Sequence, residues 1–258
     1  MKVVILAGGK GTRISEESQF KPKPMIEIGD MPILWHIMKI YSHYGYNDFI
    51  ICCGYKGYMI KEYFANYFLR TSDITFDFKN DGNMQIHNNI SEPWTVTLVD
   101  TGAETMTGGR IRRIQKYISK GDSFLMTYGD GVSDVNIHEL VKYHQEKKKV
   151  ATMTVVQPSG RYGAVEIQSA GDVSRFVEKP QGDGGWVNGG FFVLDYEIFH
   201  YLKGDTEVFE KQPLETLAKN NGLVAYKHRG YWQSMDSMRD QVLLQNAWIE
   251  GDAPWKVW

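Results

Sequence analysis

The opening run Val3-Val4-Ile5-Leu6-Ala7-Gly8-Gly9-Lys10-Gly11-Thr12-Arg13 limits the fold more than any other stretch. Five apolar residues with no polar alternation read as a strand buried on both faces, as in parallel sheets. The strand runs straight into three glycines, a lysine, a hydroxyl and an arginine. Glycine lets main chain approach a ligand closely, and successive loop N–H groups can wrap an anion. This predicts a polyphosphate site at the edge of an α/β sheet. The companion Lys21-Pro22-Lys23-Pro24-Met25 brings two more cations. The net charge is −2, so no global field draws in polyanions such as nucleic acid. Any attraction for phosphates has to be local, and Lys2, Lys10, Arg13, Lys21 and Lys23 face only Glu16 and Glu17 in this opening segment.

Two familiar phosphate loops do not fit. The dinucleotide fingerprint needs a third glycine where Ile14 stands, and an acid after the second strand. The next strand-like run, Phe49-Ile50-Ile51-Cys52-Cys53-Gly54, ends without one. The P-loop needs Ser or Thr directly after Gly-Lys, and Gly9-Lys10 is followed by Gly11. A nicotinamide oxidoreductase is thereby disfavoured.

Farther along, apolar spacing predicts a helix over Pro32–Tyr44, a strand over Asn47–Cys53 and a helix over Gly57–Phe68. Strand–helix alternation of this kind builds a parallel sheet. Ile74–Phe78 and Met84–His87 read as an inserted hairpin, and Thr95–Val99 as a return to the sheet. Thr107–Ile118 reads as a helix with Arg110, Arg112 and Arg113 near its start, where cations oppose the helix dipole and invite an anion. Ser123–Thr127 is a strand ending in Tyr128-Gly129-Asp130, and ligands of open parallel sheets bind beyond such ends. His138–Lys148 should be a helix. From Val150 strands dominate: Ala151–Val156, Ala164–Ile167, Val173–Val177, Val187–Leu194 and Leu223–Lys227, with helices over Glu215–Asn220 and Met238–Ile249. Cys52 and Cys53 are strand neighbours pointing to opposite faces, so they should stay as free thiols in a reducing compartment. No apolar run nears the ~18 residues of a membrane span and no cleavable leader is visible, so the cytoplasm is the expected location.

The order G-G-x-G-T-R, P-K-P, Gly129-Asp130, Glu178-Lys179-Pro180, Asn188-Gly189-Gly190 and Trp232-Gln233-Ser234-Met235-Asp236 resembles the sugar-phosphate nucleotidylyltransferases over nearly the whole chain. The resemblance implies a Rossmann-like α/β fold: a mixed, mainly parallel sheet flanked by helices, with a β-rich sugar-binding part. The chain would be one domain, residues 1–149 forming the nucleotide half and 150–258 the sugar-phosphate half with a terminal helix and tail. Ile51–Tyr58, Val99–Gly102, Met106–Arg110 and Ala253–Lys256 look most like the members that transfer a cytidylyl group. That narrower likeness implies CTP and glucose 1-phosphate as substrates, CDP-glucose and pyrophosphate as products, and Mg²⁺ as cofactor, with UTP or dTTP as alternative nucleotides. Kept fold with lost turnover, a nucleotide-sugar sensor, is the alternative of another class.

By the same resemblance, Gly8, Gly9, Gly11, Thr12 and Arg13 would hold the triphosphate, and Leu6, Ala7 and Gly8 would face the nucleotide through main chain. Lys23 would steady the α-phosphate or the leaving group. Thr105 and Arg110 would contact the cytidine. Asp130 and Asp236 would hold Mg²⁺. Lys179, helped by Arg161, would hold the sugar phosphate; Glu178 and Asn188 would bond sugar hydroxyls, Gly163 would admit the ring, and Tyr128 would line the same side. Arg13, Lys23 and Asp130 are the catalytic candidates. Several have plainer readings: Asp236 as the N-cap of the last helix, Glu178-Lys179 as a surface ion pair, Asn188 as a turn residue, Trp232 as packing. Ser18 stands roughly where many relatives place a threonine. The aromatic tail Ala253–Trp258 should dock on the body or on another subunit, and the resemblance implies a homo-oligomer, a hexamer being one form.

Overall fold

In the computed structural model the described residues are all except 80–81, 89–90, 159–163, 169–171 and 178–184; the side chains of 13, 15, 16, 164–167, 173 and 175–177 also lie outside the description. In chain order the first half holds β1 (Val3–Ala7), α1 (Ser15–Ser18), β2 (Glu27–Ile28), β3 (Met31–Pro32), α2 (Ile33–His43), β4 (Asp48–Cys53), α3 (Gly57–Ala65), α4 (Phe68–Thr71), β5 (Asp73–Asp77), β6 (Asn83–His87), β7 (Thr95–Asp100), α5 (Thr107–Arg113), β8 (Ser123–Tyr128), β9 (Gly131–Ser133) and α6 (Ile137–Lys147). The second half holds β10 (Ala151–Val156), β11 (Ala164–Ile167), β12 (Val173–Val177), β13 (Val187–Asp195), α7 (Gln212–Lys219), β14 (Leu223–Lys227), β15 (Trp232–Ser234) and α8 (Met238–Ile249).

One seven-stranded sheet runs through the molecule in the order β14-β10-β13-β8-β1-β4-β7. β1 sits near its middle, parallel to β4 and β8. Its residues alternate between two cores. Val3, Ile5 and Ala7 pack with α2, α3, α6 and α8, while Val4 and Leu6 pack with α5 and α7. Burial on both faces explains the unbroken apolar run. Cys52 and Cys53 divide the same way, one to each core, and both are free thiols.

β13 is the exception to the parallel order, running antiparallel to both β8 and β10. Its first residues therefore reach the edge where β1 and β8 end, which brings Asn188 beside Tyr128. Gly190 and Phe191 kink the strand with φ of +76° and +49°. Left-handed backbone is cheap for glycine and uncommon for a bulky residue. Phe191 is held there by full burial and by the Thr154 hydroxyl donating to its carbonyl at 2.7 Å.

Two expected helices are shorter than their apolar spacing suggested. Gly57–Phe68 breaks into α3 and α4. Thr107–Ile118 stops at Arg113 and continues as a 3-10 turn, Gln115–Tyr117. Arg110, Arg112 and Arg113 thus fall in the last turn of α5, where the dipole favours cations. The dipole argument for an anion at that place is removed. Among the described residues no helix is long and apolar enough to cross a membrane.

The tail docks on the body. Trp255 is fully buried and stacks on Tyr231 and Trp248 at centroid distances of 5.7 and 6.4 Å. Its indole N–H donates to Nδ1 of the buried His36 at 3.4 Å. Indole can only donate, so His36 Nδ1 accepts and the ring proton sits on Nε2, facing the Ile28 carbonyl at 2.9 Å. Burial pushes the His36 pKa down to about 4 from 6.5. Between those values the unfolded chain takes up a proton that the folded chain refuses, so stability falls as pH drops from 6.5 towards 4, by about 3 kcal/mol at most. The melting temperature of a His36→Gln variant should therefore depend less on pH across that window than that of the parent chain. Equal slopes would place the acid sensitivity elsewhere.

Candidate active site

The first strand ends under a guanidinium. Arg110, 4% exposed, donates from Nη2 to the Gly8 carbonyl at 3.0 Å and from Nη1 to Thr101 Oγ1 at 2.7 Å and the Gly102 carbonyl at 2.8 Å. Burial lowers its pKa, yet an arginine at this depth keeps its proton. One cation thus ties the glycine loop to the ends of β4 and β7. A Cβ on Gly8 would lie 2.3 Å from the Arg110 Cζ, so this position admits only glycine while the arginine is in place. Ser18 closes the far side of the loop, its hydroxyl donating to the Gly11 carbonyl at 2.9 Å. Gly9 and Thr12 are exposed, and Arg13 lies in the 3-10 turn Thr12–Ile14. Lys10 reaches across the mouth to Glu104 at 2.8 Å, with both side chains largely in solvent.

P-K-P delivers Lys23. Pro22 precedes the short 3-10 turn Lys23–Met25, and Pro24 stands in it. Fixed proline φ on both sides leaves the lysine little backbone freedom. A Cβ on Gly129 would lie 3.0 Å from Pro24 Cγ, so the G-D turn after β8 packs directly on P-K-P. β9 then pairs with β15, and the Met235 N–H donates to the Asp130 carbonyl at 2.8 Å, extending that ladder by one rung. The ladder carries Asp236 to the same place as Asp130. Lys23 Nζ lies 2.7 Å from Asp130 Oδ2 and 2.7 Å from Asp236 Oδ1. Burial opposes the charge of Lys23, but the two carboxylates outweigh it and hold its pKa above the ordinary value.

Asp236 does not cap the last helix. Ser237 is the N-cap of α8, in a reciprocal capping box with Asp240. The Asp236 carboxylate instead accepts from the Ser234 hydroxyl at 2.9 Å and from Lys23. Trp232 acts as packing with a polar handle, donating to the Gly189 carbonyl at 2.7 Å.

Two residues before Asp130, the Tyr128 hydroxyl donates to Glu210 at 2.6 Å and accepts from Asn188 Nδ2 at 3.1 Å. Burial, with the charge of Glu210, pushes the phenol pKa up. Glu210 has no signal in the sequence, since it lies in an ordinary polar turn outside every recurring pattern. Leu6, Ala7 and Thr105 are all buried, Thr105 under the Gly102 turn, where a glycine Cβ would lie 2.7 Å from its Oγ1. Arg161, Gly163, Glu178 and Lys179 lie outside the described residues.

The structure therefore joins the glycine loop, P-K-P, G-D, N-G-G and the segment ending at Asp236 at the edge where β1 and β8 end. A family model described as "Nucleotidyl transferase" matches residues 2–240. The chain belongs to the nucleotidyl transferase family. Over the full length of both chains it is 55% identical to a glucose-1-phosphate cytidylyltransferase of Salmonella typhi. It is 43% identical, again over all of both chains, to a probable glucose-1-phosphate cytidylyltransferase of Bacillus subtilis. Among solved structures it resembles HddC from Yersinia pseudotuberculosis, with a TM-score of 0.67 and 25% identity, covering 96% of this chain and 99% of that one.

Asp205 and Glu207 tie the start of α5 to the turn before α7, through Met106 N–H to the Asp205 carbonyl at 2.8 Å and Gly108 N–H to the Glu207 carbonyl at 2.9 Å. The nucleotidyl transferase loop is thus held from below by a helix that is itself anchored. Gly8→Ala and Arg110→Lys should each lower stability by about 2 kcal/mol, the scale of a lost charged hydrogen bond in a buried setting. Because both act on one contact, the double variant should lose clearly less than the two losses added. Thermal unfolding of the four proteins reads this, and simple additivity would show that the guanidinium does not hold the loop.

Proposed function

We propose that this protein transfers the cytidylyl group of CTP to α-D-glucose 1-phosphate, giving CDP-glucose and pyrophosphate. The observation that carries the reading is the meeting of Lys23, Asp130 and Asp236 beside the glycine loop, in a chain so similar at full length to the Salmonella typhi relative. The reaction needs an oxygen of the sugar phosphate to attack the α-phosphorus in line with the departing pyrophosphate. That phosphate has a second pKa of ~6 and is largely ionised near neutrality, so no general base is required. The difficulty is electrostatic: two polyanions must meet, and negative charge must be stabilised as it moves. Fixed cations and amide donors serve that need better than a proton shuttle. The converged groups are an ammonium, two carboxylates, a phenol and an amide, which suits this division of labour.

In this reading the N–H groups around Gly9 and Gly11, with Thr12 and Arg13, hold the β- and γ-phosphates, and Arg110 keeps the loop in shape from beneath. Lys23 neutralises the α-phosphate. Thr105 supports the cytidine side. Tyr128 and Asn188 border the sugar, joined by Gly163, Glu178 and Lys179 as the family resemblance implies. Two carboxylates from separate segments, converging on a single cation, fit a hard divalent ion that completes its shell with phosphate oxygens and water. Asp130 and Asp236 would hold Mg²⁺, which when bound would screen the phosphate charges and polarise the α-phosphate. Among the described residues no three His, Cys, Asp or Glu side chains converge, so a metal here would lean on substrate oxygens for the rest of its shell.

Pyrophosphate release from CTP, UTP, dTTP and GTP, each with glucose 1-phosphate and Mg²⁺, tests the reading. CTP should give the highest kcat/KM. Lys23→Ala and Asp130→Ala should each lose activity ~10²-fold or more, the scale of removing one fixed charge partner from a transition state. CTP binding without pyrophosphate release would make the protein a sensor, and near-normal turnover in both folded variants would remove their assigned roles.

A further inference from the structure

Both oxygens of Glu210 are engaged by hydroxyls from two separate elements, β8 and α5. Oε1 accepts the Tyr128 hydroxyl and Oε2 accepts the Thr107 hydroxyl, each at 2.6 Å. A phenol or a threonine has one hydroxyl proton, so both protons are committed to this carboxylate. The Tyr128 oxygen is then left only its acceptor capacity, which Asn188 Nδ2 uses at 3.1 Å. The Asn188 Oδ1 is taken in turn by the Gly190 N–H at 2.9 Å. The amide of Asn188 is therefore held in one orientation: oxygen to its own strand, nitrogen to Tyr128. Its second amide proton remains for an acceptor outside this chain of bonds. Were Tyr128 free to turn its hydroxyl proton towards Asn188, that orientation would lose its donor–acceptor logic.

Hydrogen bonds to an ionised carboxylate are roughly twice as strong as neutral ones, so the first link is the strong one. Glu210 is itself fixed. Thr107 Oγ1, while donating to it, accepts the Phe209 N–H at 2.9 Å, and Phe209 is fully buried. The carboxylate thus stands on a segment clamped to the start of α5, not on a mobile loop.

We propose that Glu210 is a positioning residue for the sugar phosphate. It sets the direction of the Tyr128 hydroxyl, which orients the Asn188 amide to donate to a glucosyl hydroxyl. The proposal rests on the transferase reading of the same site. It is tested by initial rates for the parent chain, Glu210→Gln, Tyr128→Phe and the double variant, varying glucose 1-phosphate and CTP separately. Gln keeps the shape of Glu210 and removes its charge. Each single variant should raise the KM for glucose 1-phosphate about tenfold, the effect of one charge-assisted hydrogen bond, with the KM for CTP moved about twofold or less. Because both act through one hydroxyl, the double variant should be no worse than the worse single one. Multiplying effects, an equal rise in both KM values, or a drop in melting temperature with unchanged KM would each overturn the proposal. Should Glu210→Gln fail to fold, Tyr128→Phe carries the test alone, and an unchanged KM for glucose 1-phosphate in it overturns the proposal. Absence of pyrophosphate release in the parent chain would be a failure of the transferase reading instead, and is seen before any variant is made.

Discussion

The ammonium of Lys23 between the carboxylates of Asp130 and Asp236 is the contact on which the rest of the site depends. The three residues come from a proline-flanked turn near the start, a strand end in the middle and a segment before the last helix. Taking three charges partly out of water is costly unless they are paired. Here the pairing is at 2.7 Å on both sides and the lysine is only 8% exposed. The arrangement holds together three remote parts of the chain and concentrates charge of both signs in one place. A site for polyphosphates needs both, since cations attract the substrate while carboxylates can carry a metal with it.

Two backbone features assemble the site around those charges. The first is the short antiparallel ladder of β9 with β15, extended by Met235 N–H to the Asp130 carbonyl, which sets two acids side by side. The second is the reversed strand β13. In an all-parallel sheet its opening residues would sit at the opposite edge, far from Tyr128. Running it backwards brings Asn188 to the edge where β1 and β8 end, and the kink at Gly190 and Phe191 turns it towards the phenol. Substrates of open α/β sheets bind at that edge, and here both halves of the chain supply it with side chains.

Much of this was legible in the sequence, and the reasons are specific. An unbroken apolar run before a glycine loop has few other uses than a central parallel strand. The meeting of Lys23, Asp130 and Asp236 in one place followed from a family pattern whose residues are spaced over most of the chain. What was not legible depended on three-dimensional detail. Apolar spacing cannot show where a helix stops, so Thr107–Ile118 read as one element and its arginines as crowding an N-terminus. With the helix ending at Arg113, Arg110 turns inwards as a brace for Gly8. The capping role offered for Asp236 belongs one residue later, because Ser237 and Asp240 form the box. Glu210 had no pattern to betray it: its importance comes from two hydroxyls more than eighty residues away in sequence.

The most direct test of this arrangement is the thermal stability of Lys23→Met compared with Lys23→Met/Asp236→Asn at neutral pH. Without the ammonium, two carboxylates built to face one cation are left facing each other. A fall in melting temperature of roughly 5 °C or more in the single variant, from a loss of about 2 kcal/mol, with most of it regained in the double variant, is the expected result. A single variant as stable as the parent chain would contradict the claim that this triad holds the site together.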